Sequence, residues 1–120
     1  MHEFSICEDL ITAILEELDK VDCRGRVTLL KARVVVGKLR QVVPDNLAFA
    51  YEVLGKEAGI SGSKLEIVER PITAKCKECG WQGEIRDSLF MCARCESMNI
   101  EQLSGSELYL ENLEVSTDEQ

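Results

Sequence analysis

The chain has 120 residues, 45% of them hydrophobic and 30% charged, so it is long enough to bury one ordinary core. Its formal net charge is −8, whereas proteins that neutralise phosphates are normally basic, so neither nucleic acid nor anionic membrane is an expected partner. The acidic first twenty residues do not resemble a signal peptide, and no apolar run is long enough to span a bilayer. We therefore expect a cytoplasmic protein, in which six cysteines favour metal binding or redox chemistry over disulfides.

The chain begins with a predicted helix and a predicted strand. Apolar residues recur at helical spacing from Phe4 to Leu18, and Ser5 with Glu8 fits a capping box that would make Ser5 the N-cap. Residues 26–36 alternate as in a half-buried strand, with Lys31 and Arg33 on the outer face. The residues predicted to face the core are Leu30, Ala32, Val34 and Val36.

A second helix and two further strands are predicted after Pro44. The helix runs from Pro44 to the turn-rich segment 59–63, and the strands are residues 64–70 and 107–115. The apolar stripe of the helix consists of Leu47, Ala50, Tyr51, Leu54 and Ala58. Residues 74–100 lack regular periodicity and read as an insertion, so we expect the strands that enter and leave it to be neighbours.

These elements predict an α/β protein of the α+β type, with two helices packed on a three-stranded mixed sheet. The insertion is expected to be a zinc-ribbon-like four-cysteine module. The predicted domains are residues 1–72 with 102–120, and an inserted metal-binding domain of residues 73–101.

The insertion contains two C-x-x-C pairs, Cys76 with Cys79 and Cys92 with Cys95, separated by twelve residues. Four thiolates in this paired arrangement favour a closed tetrahedral zinc site, one per chain. Gly80 suits the left-handed turn that such pairs often need. The apolar side chains available to cover the site are Trp81, Ile85 and Phe90.

Other uses of these cysteines are less well supported. A rubredoxin-like iron site is chemically possible, and a single C-x-x-C would fit a redox pair, but two adjacent pairs favour a structural metal. Acidic side chains outnumber basic ones in residues 73–101, so a nucleic-acid-binding ribbon is not indicated. Cys7 lies on an apolar helix face and is expected in the core, whereas Cys23 is expected to be a surface thiol.

The only histidine is His2. A free amine at Met1, the backbone nitrogens of His2 and Glu3, and the His2 imidazole can form fused chelate rings around one ion. Four nitrogen donors in a plane suit Ni(II) or Cu(II) better than zinc.

Together, the Met1-His2-Glu3 start, the helix behind it and the late two-pair cysteine module resemble the HypA family of nickel chaperones for [NiFe]-hydrogenase maturation. The resemblance implies nickel binding at the N-terminus by Met1, His2 and Glu3. It also implies zinc ligation by Cys76, Cys79, Cys92 and Cys95.

The resemblance further implies a non-catalytic protein with Ni(II) as transported cargo, whose partners are a HypB-like GTPase and the hydrogenase large subunit. A homodimer is a possible assembly. The alternative is a zinc-ribbon interaction module without a transported metal, which would need neither an unblocked Met1 nor His2.

Overall fold

The structure is a computed structural model that describes residues 2–21, 27–85 and 90–117. Its elements are α1 (His2–Val21), β1 (Val27–Gly37), a 3-10 turn (Lys38–Arg40), α2 (Pro44–Ala58), β2 (Lys64–Arg70), β3 (Thr73–Cys76), β4 (Gln82–Glu84), β5 (Ile100–Ser104) and β6 (Leu108–Thr117). The predicted class, two helices and a three-stranded sheet with a four-cysteine module, is confirmed. No helix in the described residues is long and apolar enough to cross a membrane.

The chain forms two compact units. The first comprises Met1–Val35, Val42–Val68 and Tyr109–Gln120, and the second comprises Val36–Gln41 and Glu69–Leu108. The second unit thus extends beyond residues 73–101 at both ends and includes a segment from the middle of the chain.

Helix α1 begins at His2, so the prediction that Ser5 is its N-cap is wrong. Glu3, Cys7, Leu10 and Ile14 are all buried and follow one another at intervals of three or four residues. The helical stripe therefore reaches further toward the N-terminus than the apolar residues alone indicated, and Ser5 lies inside the helix.

Helix α2 begins and ends as its sequence predicts. Pro44 occupies the start, where its missing N–H costs no intrahelical bond. Gly59 ends the helix in the left-handed conformation, with φ +80°. The helix buries Leu47, Ala50, Tyr51 and Gly55, and its Phe49 ring meets the ring of Phe4 on α1 edge to face, with centroids 6.3 Å apart.

The order of strands in the larger sheet is β2-β1-β6. The expectation that the strands on either side of the insertion are neighbours is wrong, because β1 lies between them. Strand β1 buries Val34, Val35 and Val36 in succession, so both of its faces are covered at this end. Such a strand belongs at the centre of a sheet, where both of its edges are also paired.

The outer face of this sheet is ionic, as Lys31 and Arg33 predicted. Arg33 pairs with Glu66 on β2 and lies 3.5 Å from Glu111 on β6, while Lys31 lies 3.5 Å from Glu114. The Arg33 guanidinium holds the pKa of the Glu66 carboxyl below its ordinary value. These charges mark the face of the sheet that needs no apolar cover.

The alternation in β1 is broken near its start. Leu29 is 7% exposed and Leu30 is 43% exposed, so the prediction that Leu30 faces the core is wrong. Leu29 and Ala32, both buried, are three residues apart instead of the two or four that a regular strand requires. The periodicity of Ala32, Val34 and Val36 therefore does not extend back to residue 30.

The second unit contains a small sheet in the order β4-β3-β5, with both pairings antiparallel. These strands have three to five residues each, too few for sequence periodicity to reveal. The backbone N–H of Gly37 donates to the carbonyl of Glu107 at 2.7 Å, and that of Leu39 donates to Gly105 at 2.8 Å. A Cβ atom at Gly37 would lie 2.0 Å from the Gly105 carbonyl oxygen, so this approach requires glycine.

We expect Leu47→Ala to lower the free energy of unfolding by about 3 kcal/mol, because Leu47 is fully buried and alanine leaves a cavity. Val53→Ala on the same helix, where valine is 39% exposed, is the control and should cost less than about 1 kcal/mol. Urea unfolding followed by helical circular dichroism measures both. Equal losses in the two variants would contradict the assigned core of α2.

Candidate metal centre

The first cysteine pair forms a tight turn at the end of β3. The Sγ atom of Cys76 accepts hydrogen bonds from the backbone N–H groups of Glu78 at 3.3 Å and Cys79 at 3.4 Å. The N–H of Gly80 donates to the Cys76 carbonyl at 3.1 Å, and Gly80 has φ +81°. Glycine takes this left-handed conformation without steric cost, as the sequence predicted.

The second pair repeats this turn with a different closing residue. Cys92 Sγ accepts from the N–H groups of Arg94 and Cys95, both at 3.3 Å, and the Cys92 carbonyl accepts from Glu96 at 3.0 Å. Glu96 has φ +62°, a conformation that costs a non-glycine residue about 1–2 kcal/mol. The residue type did not indicate this role, although Glu96 follows its cysteine pair just as Gly80 follows the first.

The two turns bring all four Sγ atoms within 4.8 Å of one another. Cys76 and Cys95 are 3.6 Å apart at sulfur, as are Cys79 and Cys92. A tetrahedron with metal–sulfur bonds of about 2.3 Å has edges of about 3.8 Å, whereas a disulfide bond is about 2.05 Å long. The donor set therefore fits a divalent ion in tetrahedral sulfur coordination and not a pair of disulfides.

Neighbouring groups favour the thiolate form at Cys79, whereas the pKa of Cys95 is raised to about 12, because a hydrogen bond from the backbone of Ser97 is outweighed by desolvation and the neighbouring thiols. The pKa of Cys79 is lowered to about 6, first by a hydrogen bond from the backbone N–H of Trp81 and then by the side chain of Arg94. Arg94 is held in place because its Nη2 atom donates to the Cys79 carbonyl at 2.8 Å. Arg94 thus contributes to the site without being a ligand, a role that its position between two cysteines did not reveal.

Three further backbone hydrogen bonds brace the turns. Cys76 N–H donates to the Trp81 carbonyl at 2.6 Å, Lys77 N–H to Asn99 at 2.9 Å, and Cys92 N–H to Ser97 at 2.8 Å. Of these, the Lys77–Asn99 bond joins the first turn to the segment that follows the second pair, while the other two close each pair locally.

The apolar cover of the site is smaller than the sequence suggested. Ile85 is buried and Trp81 is half-buried, but Phe90 remains 40% exposed. The expectation that Phe90 covers the site is therefore wrong. A unit with so little apolar cover depends more strongly on its metal for stability than a unit with a large apolar core does.

Two of the residues predicted to bind nickel, His2 and Glu3, are the first residues of α1. Met1 and the side chain of His2 are outside the part of the chain that the structure describes. Glu3 is buried, and its Oε2 atom lies 3.3 Å from the backbone nitrogen of Val43. The first N–H groups of any helix lack intrahelical acceptors, so the backbone nitrogens of His2 and Glu3 are not committed to helix hydrogen bonds.

Cys7 is not part of the cluster. Cys7 is buried in α1, and burial raises the pKa of its thiol to about 11, which suits an unreactive core residue. The expectation for Cys7 is confirmed, while Cys23 lies outside the described residues.

An α+β chain with four thiols gathered on two matched turns defines a metal-binding protein. The model of the family described as "Hydrogenase/urease nickel incorporation, metallochaperone, hypA" matches residues 1–115. The chain therefore belongs to the HypA family, as the sequence resemblance indicated.

Individual relatives agree with this membership. The chain is 34% identical over 120 residues to the hydrogenase maturation factor HypA of Desulfatibacillum aliphaticivorans, covering 100% of this chain and 91% of the relative. It is 36% identical over 115 residues to the hydrogenase maturation factor HypA of Alkalilimnicola ehrlichii, covering 96% and 99%.

The fold is also similar to solved structures. The solution structure of the Ni metallochaperone HypA from Helicobacter pylori superposes with a TM-score of 0.66 at 22% identity, covering 97% of this chain and 98% of that one. A second solution structure of a HypA protein gives 0.68 at 23% identity, with 98% of each chain covered. Both likenesses concern the fold.

We expect Glu96→Gly to stabilise the second unit by about 0.5–1 kcal/mol. Glycine adopts a positive φ without strain, and this gain exceeds the loss caused by the greater conformational entropy of glycine in the unfolded chain. Gly80→Ala at the matching position should destabilise it by about 1–2 kcal/mol, although a Cβ there meets no atom within 4 Å. Trp81 is the only tryptophan, so its fluorescence during urea unfolding reports on this unit. Destabilisation by Glu96→Gly would contradict the matched-turn interpretation.

Proposed function

We propose that this protein is a cytoplasmic nickel metallochaperone that binds Ni(II) at its N-terminus and delivers it during maturation of [NiFe]-hydrogenase. The observation that carries the proposal is the match of the family model along residues 1–115. The acidic net charge and the four-thiol cluster agree with a protein whose chemistry is metal binding. A reducing compartment would keep the thiols available as ligands.

The nickel donors in this proposal are the Met1 amine, the backbone nitrogens of His2 and Glu3, and the His2 imidazole. Their support is chemical, since fused chelate rings of nitrogen donors favour square-planar Ni(II). The start of α1 at His2 is compatible with it, because N–H groups in a first helical turn have no intrahelical acceptor.

The second unit, in this proposal, holds one structural zinc through Cys76, Cys79, Cys92 and Cys95. Zinc is favoured over iron because a closed four-thiolate site with no redox role is its most frequent use in small modules. The zinc module would stiffen its own unit and present a docking surface, while the first unit carries the nickel site.

The protein would act with partners and not as an enzyme. The chain has no phosphate-binding G-x-x-x-x-G-K-[ST] motif, since Gly59, Gly62 and Lys64 do not meet that spacing. Nucleotide hydrolysis would therefore come from a HypB-like GTPase, and the nickel would pass to the hydrogenase large subunit. A zinc-ribbon interaction module without cargo is the competing function, and it predicts no role for Met1 or His2.

We expect the purified protein to contain about one zinc per chain, and Cys76→Ser or Cys95→Ser to lose it and unfold the second unit. The helical circular dichroism of α1 and α2 should largely persist, because the first unit has its own buried residues. Metal analysis together with circular dichroism tests both statements. Cys7→Ala is the control and should retain zinc, whereas full zinc content in either serine variant would refute the ligand assignment.

Nickel binding to a chain with an unblocked Met1 should give a yellow, low-spin planar complex that weakens as pH falls from about 8 to 6. The sign follows because amine and imidazole take up protons over this range and compete with the metal. Absorption titrations with Ni(II) at several pH values measure the effect.

Three changes should each abolish this complex and leave the zinc content unchanged. They are His2→Ala, acetylation of the Met1 amine, and extension of the chain by one residue before Met1. Tight nickel binding that survives all three would mean that His2 is an ordinary surface histidine and that the nickel ligands lie elsewhere.

A further inference from the structure

Glu3 is the only buried polar or charged residue among those that the structure describes, with an exposure of 5%. Removing a carboxylate from water is costly unless hydrogen bonds and a favourable potential compensate for it. Glu3 must therefore have a specific structural use at this position.

Part of the compensation comes from the N-terminus of α2. Glu3 Oε2 accepts a hydrogen bond from the backbone N–H of Val43, which is the N-cap residue of that helix, at 3.3 Å. The valine side chain has no oxygen with which to cap the helix, and Pro44 has no N–H. A carboxylate also interacts favourably with the positive end of the helix dipole. Glu3 on α1 thus accepts the hydrogen bond from the N-cap N–H, the bond that a glutamate within the helix would accept in a capping box.

The sequence spacing explains how Glu3 reaches α2. Glu3, Cys7, Leu10 and Ile14 form one buried stripe on α1, so the packed face of the helix carries the carboxylate inward. Phe4, the next residue, meets Phe49 of α2 edge to face. The first turn of α1 is therefore fastened to α2 at two adjacent points.

We propose that the Glu3 carboxylate is a positioning group for the nickel site and not a nickel ligand. It ties the first turn of α1 to the N-terminus of α2 and so fixes the backbone nitrogens of residues 2 and 3. This inference rests on the proposed function, because it assumes that nickel binds these nitrogens.

Helix geometry is compatible with this division of roles. Two successive backbone nitrogens that bind one ion need the torsion ψ between them near 0°, whereas an α-helix has ψ of about −42°. Between the nitrogens of His2 and Glu3, nickel binding therefore requires a rotation of only roughly 40° from the helical value. The Glu3 side chain can stay on Val43 throughout, and an anchored backbone loses less conformational freedom when the ion binds.

The nickel-free protein tests the capping contact. In Glu3→Ala, hydrogen exchange of the Val43 amide should accelerate about tenfold or more and the melting temperature of the first unit should fall. Glu3→Gln keeps an acceptor oxygen, so exchange should stay within about threefold of the wild type. The control is Glu8→Ala, which removes an exposed carboxylate from the same helix and should change neither value. Unchanged Val43 exchange in Glu3→Ala would overturn the proposal.

Nickel-loaded protein tests the positioning role. Glu3→Ala should raise the nickel dissociation constant about five- to tenfold, Glu3→Gln should raise it less, and both should keep the planar absorption spectrum. In the wild type, the Val43 amide should remain protected after nickel binds, because the carboxylate stays in place. Faster Val43 exchange on nickel addition, or an altered spectrum in Glu3→Gln, would show that the carboxylate is a ligand and would refute the inference.

The two hypotheses fail in different ways. Nickel binding that is unaffected by His2→Ala removes the proposed function and, with it, the positioning role of Glu3. Nickel binding that depends on His2 but is equal in wild type, Glu3→Ala and Glu8→Ala removes the positioning role alone.

Discussion

The second unit depends on one constraint, which is that four thiol sulfurs must lie within 4.8 Å of one another. Outside residues 86–89, which the structure does not describe, its buried hydrophobic residues are Val36, Ala74, Cys76, Ile85 and Cys92, so two of these five belong to the thiol cluster. A core this small does not offset the entropy of ordering the surrounding chain, and metal–thiolate bonds are the remaining source of stability. The two turns, the short strands and the bonds from Cys76 and Cys92 all serve to keep these sulfurs together.

The first unit is stabilised differently, by apolar packing. Leu47 of α2, Ile14 of α1 and Val34 of β1 are fully buried, and the outer face of the sheet is occupied by ion pairs. This unit can therefore hold its shape without a metal. Such independence agrees with the proposed function, because release of a cargo ion would not unfold the carrier. Glu3 adds a polar contact between α1 and α2 next to the proposed cargo site.

The two metal sites in the proposed function place different requirements on the fold. Four thiolates surround zinc only if distant parts of the chain are brought together, as the cluster of Cys76 with Cys95 requires. Nitrogen donors from the first residues of a chain chelate nickel locally, so the fold need only hold their backbone in position. For the same reason, the cysteine spacing alone predicts the zinc site, whereas the prediction of the nickel site depends on a short and less specific sequence at the N-terminus.

The sequence by itself determined the features that depend on neighbouring residues. Helix α2 and strand β2 follow from local periodicity and from Pro44, and the C-x-x-C turns follow from the spacing of Cys76 and Cys79. Only the tertiary structure decided the order β2-β1-β6, the shift from Leu30 to Leu29, and the joining of Val36–Gln41 to the second unit. It also decided that Glu3 is buried and that Glu96 has a positive φ. These features come from strand pairing, helix packing and ligand convergence between residues far apart in sequence, which local patterns do not encode.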